Sequence, residues 1–409
     1  MSKVTTFIYM IIFMFAAPAW SDAKKGIEQP FIIIFGDSLS DGAVLGDRKG
    51  NNNWVKAEGR TEQTGLGAPI TNWPNDKPST WVNFMTEGLF PGENAMGLLS
   101  QSPEKLSNVK VLNAAFASAE TGDNFVNDKS AKAYAPVEGQ CTNYGDFGQY
   151  SCVPGAIKQI ELASKKVPDW KMKIAAVALW AGANDILNNV GKLRSIFGEN
   201  LDKSDVFTKE LEKLELKNGN WTESSFNQFF KDLAGDQYDT LHFSNPIKNT
   251  RKAVDILVHD KKVPVDNILV IGLPDMGKFP ATAVSPAIST LLTLLSQGYN
   301  SLLQYVTLRS DIKKGLSFVD ISAWQQRQTK DPAWVQDALK RNCVSEKQQE
   351  LCMAGSMRSS IKKPYLFFND KHPTVATHKK MWEEIKRQVE STNSQSIFTR
   401  LIKNASLSQ

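Results

Sequence analysis

Cysteine and histidine are scarce in this 409-residue chain, four of each. Neither cysteine pair has C-x-x-C spacing, and no H-E-x-x-H or Cys/His cluster occurs. No metal site is expected, and no cofactor. Charge of one sign is lacking too. Lys and Arg number 48 against 43 Asp and Glu, a formal net charge of +5, which is too mild for the concentrated basic face that binds nucleic acid. Beyond residue 23 no apolar run approaches the roughly 18 residues that a membrane-spanning helix needs. The mature chain is therefore expected to be soluble. Internal repeats and low-complexity linkers are absent. What is present, 41% hydrophobic residues, 22% charged and 26 glycines, is an ordinary globular composition. Disordered and collagen-like chains are excluded.

The first 23 residues read as a secretory signal peptide. Lys3 gives the positive start, Phe7 to Ala17 an apolar run of eleven, and Ala17-Pro18-Ala19 a cleavage signal, with Ser21-Asp22-Ala23 a later option. A secreted or periplasmic location is expected, and such compartments permit disulfides. Four cysteines allow three pairings. Cys141 with Cys152 and Cys343 with Cys352 is the preferred set, because each pair closes a short, polar, turn-rich loop.

Five apolar runs stand out: Phe31–Phe35, Val109–Leu112, Ile174–Trp180, Ile268–Ile271 and Leu316–Val319. None alternates with a period of two, the pattern of strands buried on both faces in a parallel sheet. Helical patterns separate them, one from about Asn245 to His259 and one after Pro373 with Val375, Met381, Trp382, Ile385 and Val389 at helical spacing. Residues 24–409 are expected to form a single α/β domain with a five-stranded parallel sheet. Insertions are placed at about 46–76, rich in Gly, Asn and Pro, and at about 192–238. The second carries a short amphipathic helix, with Thr222 as N-cap and Phe226, Phe229, Phe230 and Leu233 ahead of Gly235. Its apolar face is expected to pack on the main domain; a lid is the competing reading.

Ligands of open parallel sheets bind beyond the carboxyl ends of the strands. The first strand is followed by Gly36-Asp37-Ser38-Leu39-Ser40-Asp41 and the second by Asn113-Ala114-Ala115-Phe116-Ala117-Ser118. Gly182-Ala183-Asn184-Asp185 follows the third, and Asn369-Asp370-Lys371-His372-Pro373-Thr374 lies near the C-terminus. Together they supply a serine hydrolase. Ser38 sits where a buried strand turns, His372 is the best-placed base, and Asn184 offers an amide to an oxyanion. Backbone N–H groups near Ser38 and Ser118 add further donors. A P-loop-like stretch, Gly272 to Lys278, is a decoy. Phe279 stands where a magnesium-binding Ser or Thr belongs, and Pro274 removes a backbone N–H. No G-x-S-x-G surrounds Ser38, which argues against the α/β-hydrolase fold.

Gly36-Asp37-Ser38-Leu39-Ser40, Gly182-Ala183-Asn184-Asp185 and His372-Pro373-Thr374 resemble the motifs of the GDSL, or SGNH, hydrolases. Within that family the chain is similar to bacterial secreted lysophospholipase A and glycerophospholipid:cholesterol acyltransferase lipases, and Gly272-Leu273-Pro274-Asp275 fits that group too. The resemblance spans about residues 30–390, apart from the insertions, and implies a flavodoxin-like three-layer α/β/α sandwich, the SGNH hydrolase fold. It implies Ser38 as nucleophile, His372 as general base, and an oxyanion hole made by Ser38, Ser118 and Asn184. The substrate it implies is a phospholipid or lysophospholipid met at a membrane surface, with water or a sterol as acyl acceptor. Two positions depart from the family pattern. The second motif has no glycine, so its N–H donor is carried to Ser118. The acid position three residues before the histidine holds Asn369, which leaves Asp370, Asp185 and Asn369 as candidates to orient His372.

Overall fold

The structure is a computed structural model. It describes residues 32–41, 80–91, 95–99, 106, 109–116, 119–123, 125–127, 152–167, 174–187, 222–234, 245–280, 282, 286–307, 316–331, 333, 366–367, 372–392 and 396–407. The expected signal peptide, the insertion at 46–76, Ser118, Asn369, Asp370 and three of the four cysteines lie outside the described residues.

Six strands form one parallel sheet: β1 (Ile32–Gly36), β2 (Met96–Leu98), β3 (Val111–Asn113), β6 (Ala176–Trp180), β7 (Ile268–Ile271) and β8 (Ser317–Val319). Their order is β2-β3-β1-β6-β7-β8, and all neighbours run parallel. A separate antiparallel pair joins β4 (Phe125–Asn127) to β5 (Cys152–Pro154). The expectation of five strands is therefore corrected to six. The missed strand, β2, is three residues long with Gly97 at its centre, and it sits at the sheet edge. A strand so short shows no apolar run to read. The other five expected strands appear, β7 with the expected bounds and the rest shifted or trimmed by a residue or two.

The helices are α1 (Trp81–Leu89), α2 (Ala156–Lys166), α3 (Ala183–Leu187), α4 (Glu223–Ala234), α5 (Asn245–Asp255), α6 (Pro286–Thr307), α7 (Ile321–Gln328), α8 (Val375–Thr392) and α9 (Ile397–Leu407). A π turn, Ile256–Asp260, extends α5. The helices bury apolar stripes on both faces of the sheet, so each central strand is apolar on both sides. In β1, Ile33 and Phe35 face one core with Ile160 of α2, Val254 of α5 and Leu295 of α6. Ile32 and Ile34 face the other with Trp81 of α1, Trp324 of α7, Met381 of α8 and Phe398 of α9. That two-sided burial is why the runs lack a period of two. Helix α4 forms where the second insertion was expected to carry one. Thr222 caps it by accepting from the Ser225 N–H at 3.1 Å, and Phe226 is buried in the first core. This favours packing on the main domain over a lid. Among the described residues, no helix is long and apolar enough to cross a membrane.

The chain leaves β1 toward β2 and β3 on one side and later builds β6, β7 and β8 on the other. The strand order thus reverses direction at β1, and a crevice for ligands belongs beyond its carboxyl end. Ser38 lies two residues past that end.

Candidate active site

Strand β1 stops because the chain turns sharply after Gly36. Ser40 and Asp41 N–H groups both donate to the Asp37 carbonyl, at 3.0 and 2.9 Å. The Asp37 carboxylate accepts from the Leu39 N–H at 3.0 Å. Gly36 is required there: a Cβ would lie 2.3 Å from the Trp180 carbonyl oxygen of β6. Gln159 of α2 grips the same residue from the other side. Its Oε1 accepts from the Gly36 N–H at 2.9 Å, while its Nε2 donates to the Gly36 and Pro154 carbonyls, both at 2.9 Å. Asn113, at the end of β3, donates from Nδ2 to the Ser40 carbonyl at 2.9 Å. The Trp81 indole donates to the Ser40 hydroxyl at 3.2 Å.

These ties present Ser38 to His372. Oγ of Ser38 and Nε2 of His372 are 2.9 Å apart across 334 residues of chain. Both residues are nearly closed off, Ser38 at 8% exposure and His372 at 7%. A hydroxyl within hydrogen-bond reach of an imidazole nitrogen can lose its proton as it attacks an electrophile. The histidine corner is built locally. Phe367 and Pro373 form a bridge, the Thr374 N–H donates to the Leu366 carbonyl at 3.1 Å, and the Thr377 hydroxyl donates to the same carbonyl at 2.6 Å. Helix α8 then departs. Of the other histidines, His378 is fully buried and burial pushes its pKa down to about 3, so it stays neutral. His259 is exposed at the end of its helix, and His242 lies outside the described residues.

Beyond β6, Gly182 takes a φ of +124°, and a Cβ on it would lie 2.7 Å from the Tyr299 hydroxyl. Only glycine suits that backbone and that approach. The turn lets Asn184 and Asp185, both half-buried, reach back to the segment that follows Phe116. Asn184 Nδ2 donates to the Ala119 carbonyl at 3.0 Å. Asp185 accepts from the Thr121 N–H at 3.0 Å and from the Thr121 hydroxyl at 2.7 Å. The structure thus sets the Asp185 carboxylate on Thr121, where the sequence offered it as a partner of His372. Desolvation, with Glu120 as a like charge nearby, pushes the Asp185 pKa up to about 7. Burial does the same to Asp37, also to about 7, with Asp41 adding repulsion.

The decoy stretch after β7 is a packed corner. Its backbone N–H groups are spent inside the protein: Gly272 on Val319, Lys278 on Asp275 and Phe279 on Met276 through their carbonyls, and Leu273, Asp275 and Met276 on side chains of Asn300, Gln325 and Ser296. A phosphate would find no cradle among them. Among the described residues no group of His, Cys, Asp and Glu could hold a metal ion. Cys152 opens β5, and its counterpart Cys141, like Cys343 and Cys352, lies outside the described residues.

Sequence reading missed Gln159, Thr121, Asn249 and Tyr299, which hold the site from outside its motifs. Gln159 carried one faint signal, a polar residue set in the apolar stripe of Ile157, Ile160 and Ala163. No family model matches the chain, and no curated protein matches it.

Proposed function

We propose that this protein is a secreted or periplasmic serine ester hydrolase of the GDSL type, acting on the acyl esters of phospholipids or lysophospholipids. The observation that carries the reading is the 2.9 Å pair of Ser38 Oγ and His372 Nε2, set where the strand order reverses. The six-stranded parallel sheet with helices on both faces is compatible with the flavodoxin-like sandwich of that family.

In the proposed reaction Ser38 Oγ attacks the acyl carbonyl carbon and His372 Nε2 takes its proton. The carbonyl oxygen becomes an oxyanion, held by the Ser38 and Ser118 N–H groups and by Asn184. One N–H of the Asn184 amide is committed to Ala119, and the second is the donor the oxyanion would take. Collapse expels the alcohol, which receives the proton from His372 and leaves an acyl-enzyme. Water, activated by the same histidine, releases the fatty acid; a sterol hydroxyl in its place gives acyl transfer. Asp370 or Asn369 orients the histidine. The acyl chain as substrate group rests on the likeness of the three motifs to those of the GDSL lipases.

The test is a substrate panel of phosphatidylcholine, lysophosphatidylcholine, p-nitrophenyl palmitate and p-nitrophenyl acetate, run on wild type and Ser38→Ala. Hydrolysis of the long-chain esters is expected, with a loss on the order of a millionfold in Ser38→Ala and fluorophosphonate labelling confined to Ser38. Cleavage of the acetate alone would move the substrate to small or carbohydrate esters. Labelling that persists in Ser38→Ala would overturn the mechanism.

A further inference from the structure

Asn184 and Asp185 are neighbours on the short helix α3, and both reach one three-residue segment, Ala119 to Thr121. Asn184 holds its first carbonyl at 3.0 Å. Asp185 holds its last residue twice, through the Thr121 N–H and hydroxyl. Two further elements grip the same segment. The Ala156 N–H, in the first turn of α2, donates to the Glu120 carbonyl at 2.8 Å, and Asn249 of α5 donates from Nδ2 to the Thr121 hydroxyl at 3.1 Å. The Thr121 hydroxyl therefore donates to one side chain and accepts from another. A hydroxyl can do both, and a methyl can do neither.

The segment's place in the chain gives this grip its meaning. Ala119 directly follows Ser118, whose N–H is a donor in the proposed reaction. Its carbonyl fixes the amide of Asn184, another donor. Donors to an oxyanion act through preorganisation, and small displacements of such groups are costly to rate. We propose that Asp185 and Thr121 are positioning residues: a carboxylate–hydroxyl latch that sets the 119–121 segment and, through it, the geometry of the oxyanion donors. The proposal rests on the ester-hydrolase reading of the same site. It gives the acidic residue of Gly182-Ala183-Asn184-Asp185 a role separate from the orientation of His372.

The latch predicts a split that an ordinary surface turn would not produce. Asp185→Asn keeps the shape but turns an N–H₂ group toward Thr121, so with its Oδ1 on the Thr121 N–H the hydroxyl must give up its donation and accept instead, which reorders the latch. Thr121→Val removes only the hydroxyl, and Thr121→Ser restores it. Steady-state kinetics on the best ester of the panel should show kcat lowered roughly ten- to hundredfold in Asp185→Asn and about tenfold in Thr121→Val. KM should stay within about twofold, and Thr121→Ser should recover most of the loss. The second-order rate of Ser38 labelling by a fluorophosphonate should fall in parallel, because its phosphoryl oxygen occupies the same hole. If Asp185→Asn does not fold, Thr121→Val and its serine rescue decide the matter. Variants that fold, melt at lower temperature and keep wild-type kcat would show a plain structural turn and overturn the latch while leaving the esterase standing. A wild-type protein inert toward every ester and toward the fluorophosphonate would overturn the esterase, and the latch's catalytic role with it.

Discussion

The corner that carries Ser38 is tied to residues far away in sequence. Gln159 grips Gly36 across 123 positions, Asn113 holds Ser40 across 73, and Trp81 reaches Ser40 across 41. The corner that carries His372 closes mainly on itself. Thr377 returns to Leu366 over 11 positions, Thr374 meets Thr377 over three, and Phe367 bridges Pro373. Long-range ties form only when the whole sheet is assembled, whereas local ones can open and close alone. The serine corner should therefore fail together with the fold, and the histidine corner should yield by itself. Four changes test this contrast, in descending order of expected effect.

Gly36→Ala should be the most damaging. The added methyl would sit 2.3 Å from the Trp180 carbonyl, a backbone atom fixed by the pairing of β1 and β6. Relief requires those strands to separate. A loss above about 4 kcal/mol, or failure to fold, is expected in urea unfolding; a loss under about 1 kcal/mol would mean the two strands can part cheaply here.

Asp37→Asn works on the same corner through charge. Asp37 is 1% exposed, its second carboxylate oxygen has no hydrogen-bond partner among the described residues, and burial raises its pKa from 3.8 to about 7. A raised acid pKa means the folded state binds the proton more readily than the unfolded one. Stability then falls as pH rises from about 4 to about 7 and stays lowered above that. Asparagine removes the charge. At pH 8 the variant should be more stable than wild type by roughly 2–4 kcal/mol. At pH 3, where both states of the wild type are protonated, the difference should vanish. Thermal melts of the two proteins across that range check the sign, and a variant less stable at pH 8 would contradict it.

The same contrast explains what the sequence makes legible. Strands β1, β6 and β7 can be read because burial on both faces leaves an unbroken apolar run. Strand β2 cannot, since three residues with a central glycine at an edge carry no run at all. Helix α1 was not foreseen either, although Trp81, Val82 and Met85 form its buried stripe. Ser38, Asn184 and His372 can be picked out because each lies in a short motif just past an element end. Their supports cannot. Gln159, Thr121 and Asn249 are single polar residues whose partners are fixed only by the fold, and no spacing announces a hydrogen bond spanning 123 or 128 positions. Asp185 was visible as an acidic residue beside the site, but the direction of its carboxylate depends on Gly182's left-handed turn.

The two mildest changes set the corners side by side. Gln159→Leu keeps the volume of the side chain and deletes three hydrogen bonds. The Gly36 carbonyl keeps its bond from the Phe116 N–H, but the Gly36 N–H loses its acceptor inside the core. An orphaned buried donor costs about 1–3 kcal/mol, and the Pro154 carbonyl adds to it, so about 2–3 kcal/mol is expected. Thr377→Val is the matching cut at the histidine corner. Valine is close to threonine in shape, and only the hydroxyl's bonds are lost. The Leu366 carbonyl retains the Thr374 N–H, so no buried acceptor there is stranded, and about 1 kcal/mol is expected. The distribution of the damage matters more than its size. Hydrogen exchange of Thr377→Val should quicken at Leu366, Phe367, His372 and Thr374, while the amides of β1 and β6 stay as protected as in wild type. Gln159→Leu should speed exchange across β1, β6 and α2 together. If Thr377→Val loosened the sheet as broadly as Gln159→Leu does, the histidine corner would be part of the same cooperative unit as the serine corner, and the contrast between them would fail.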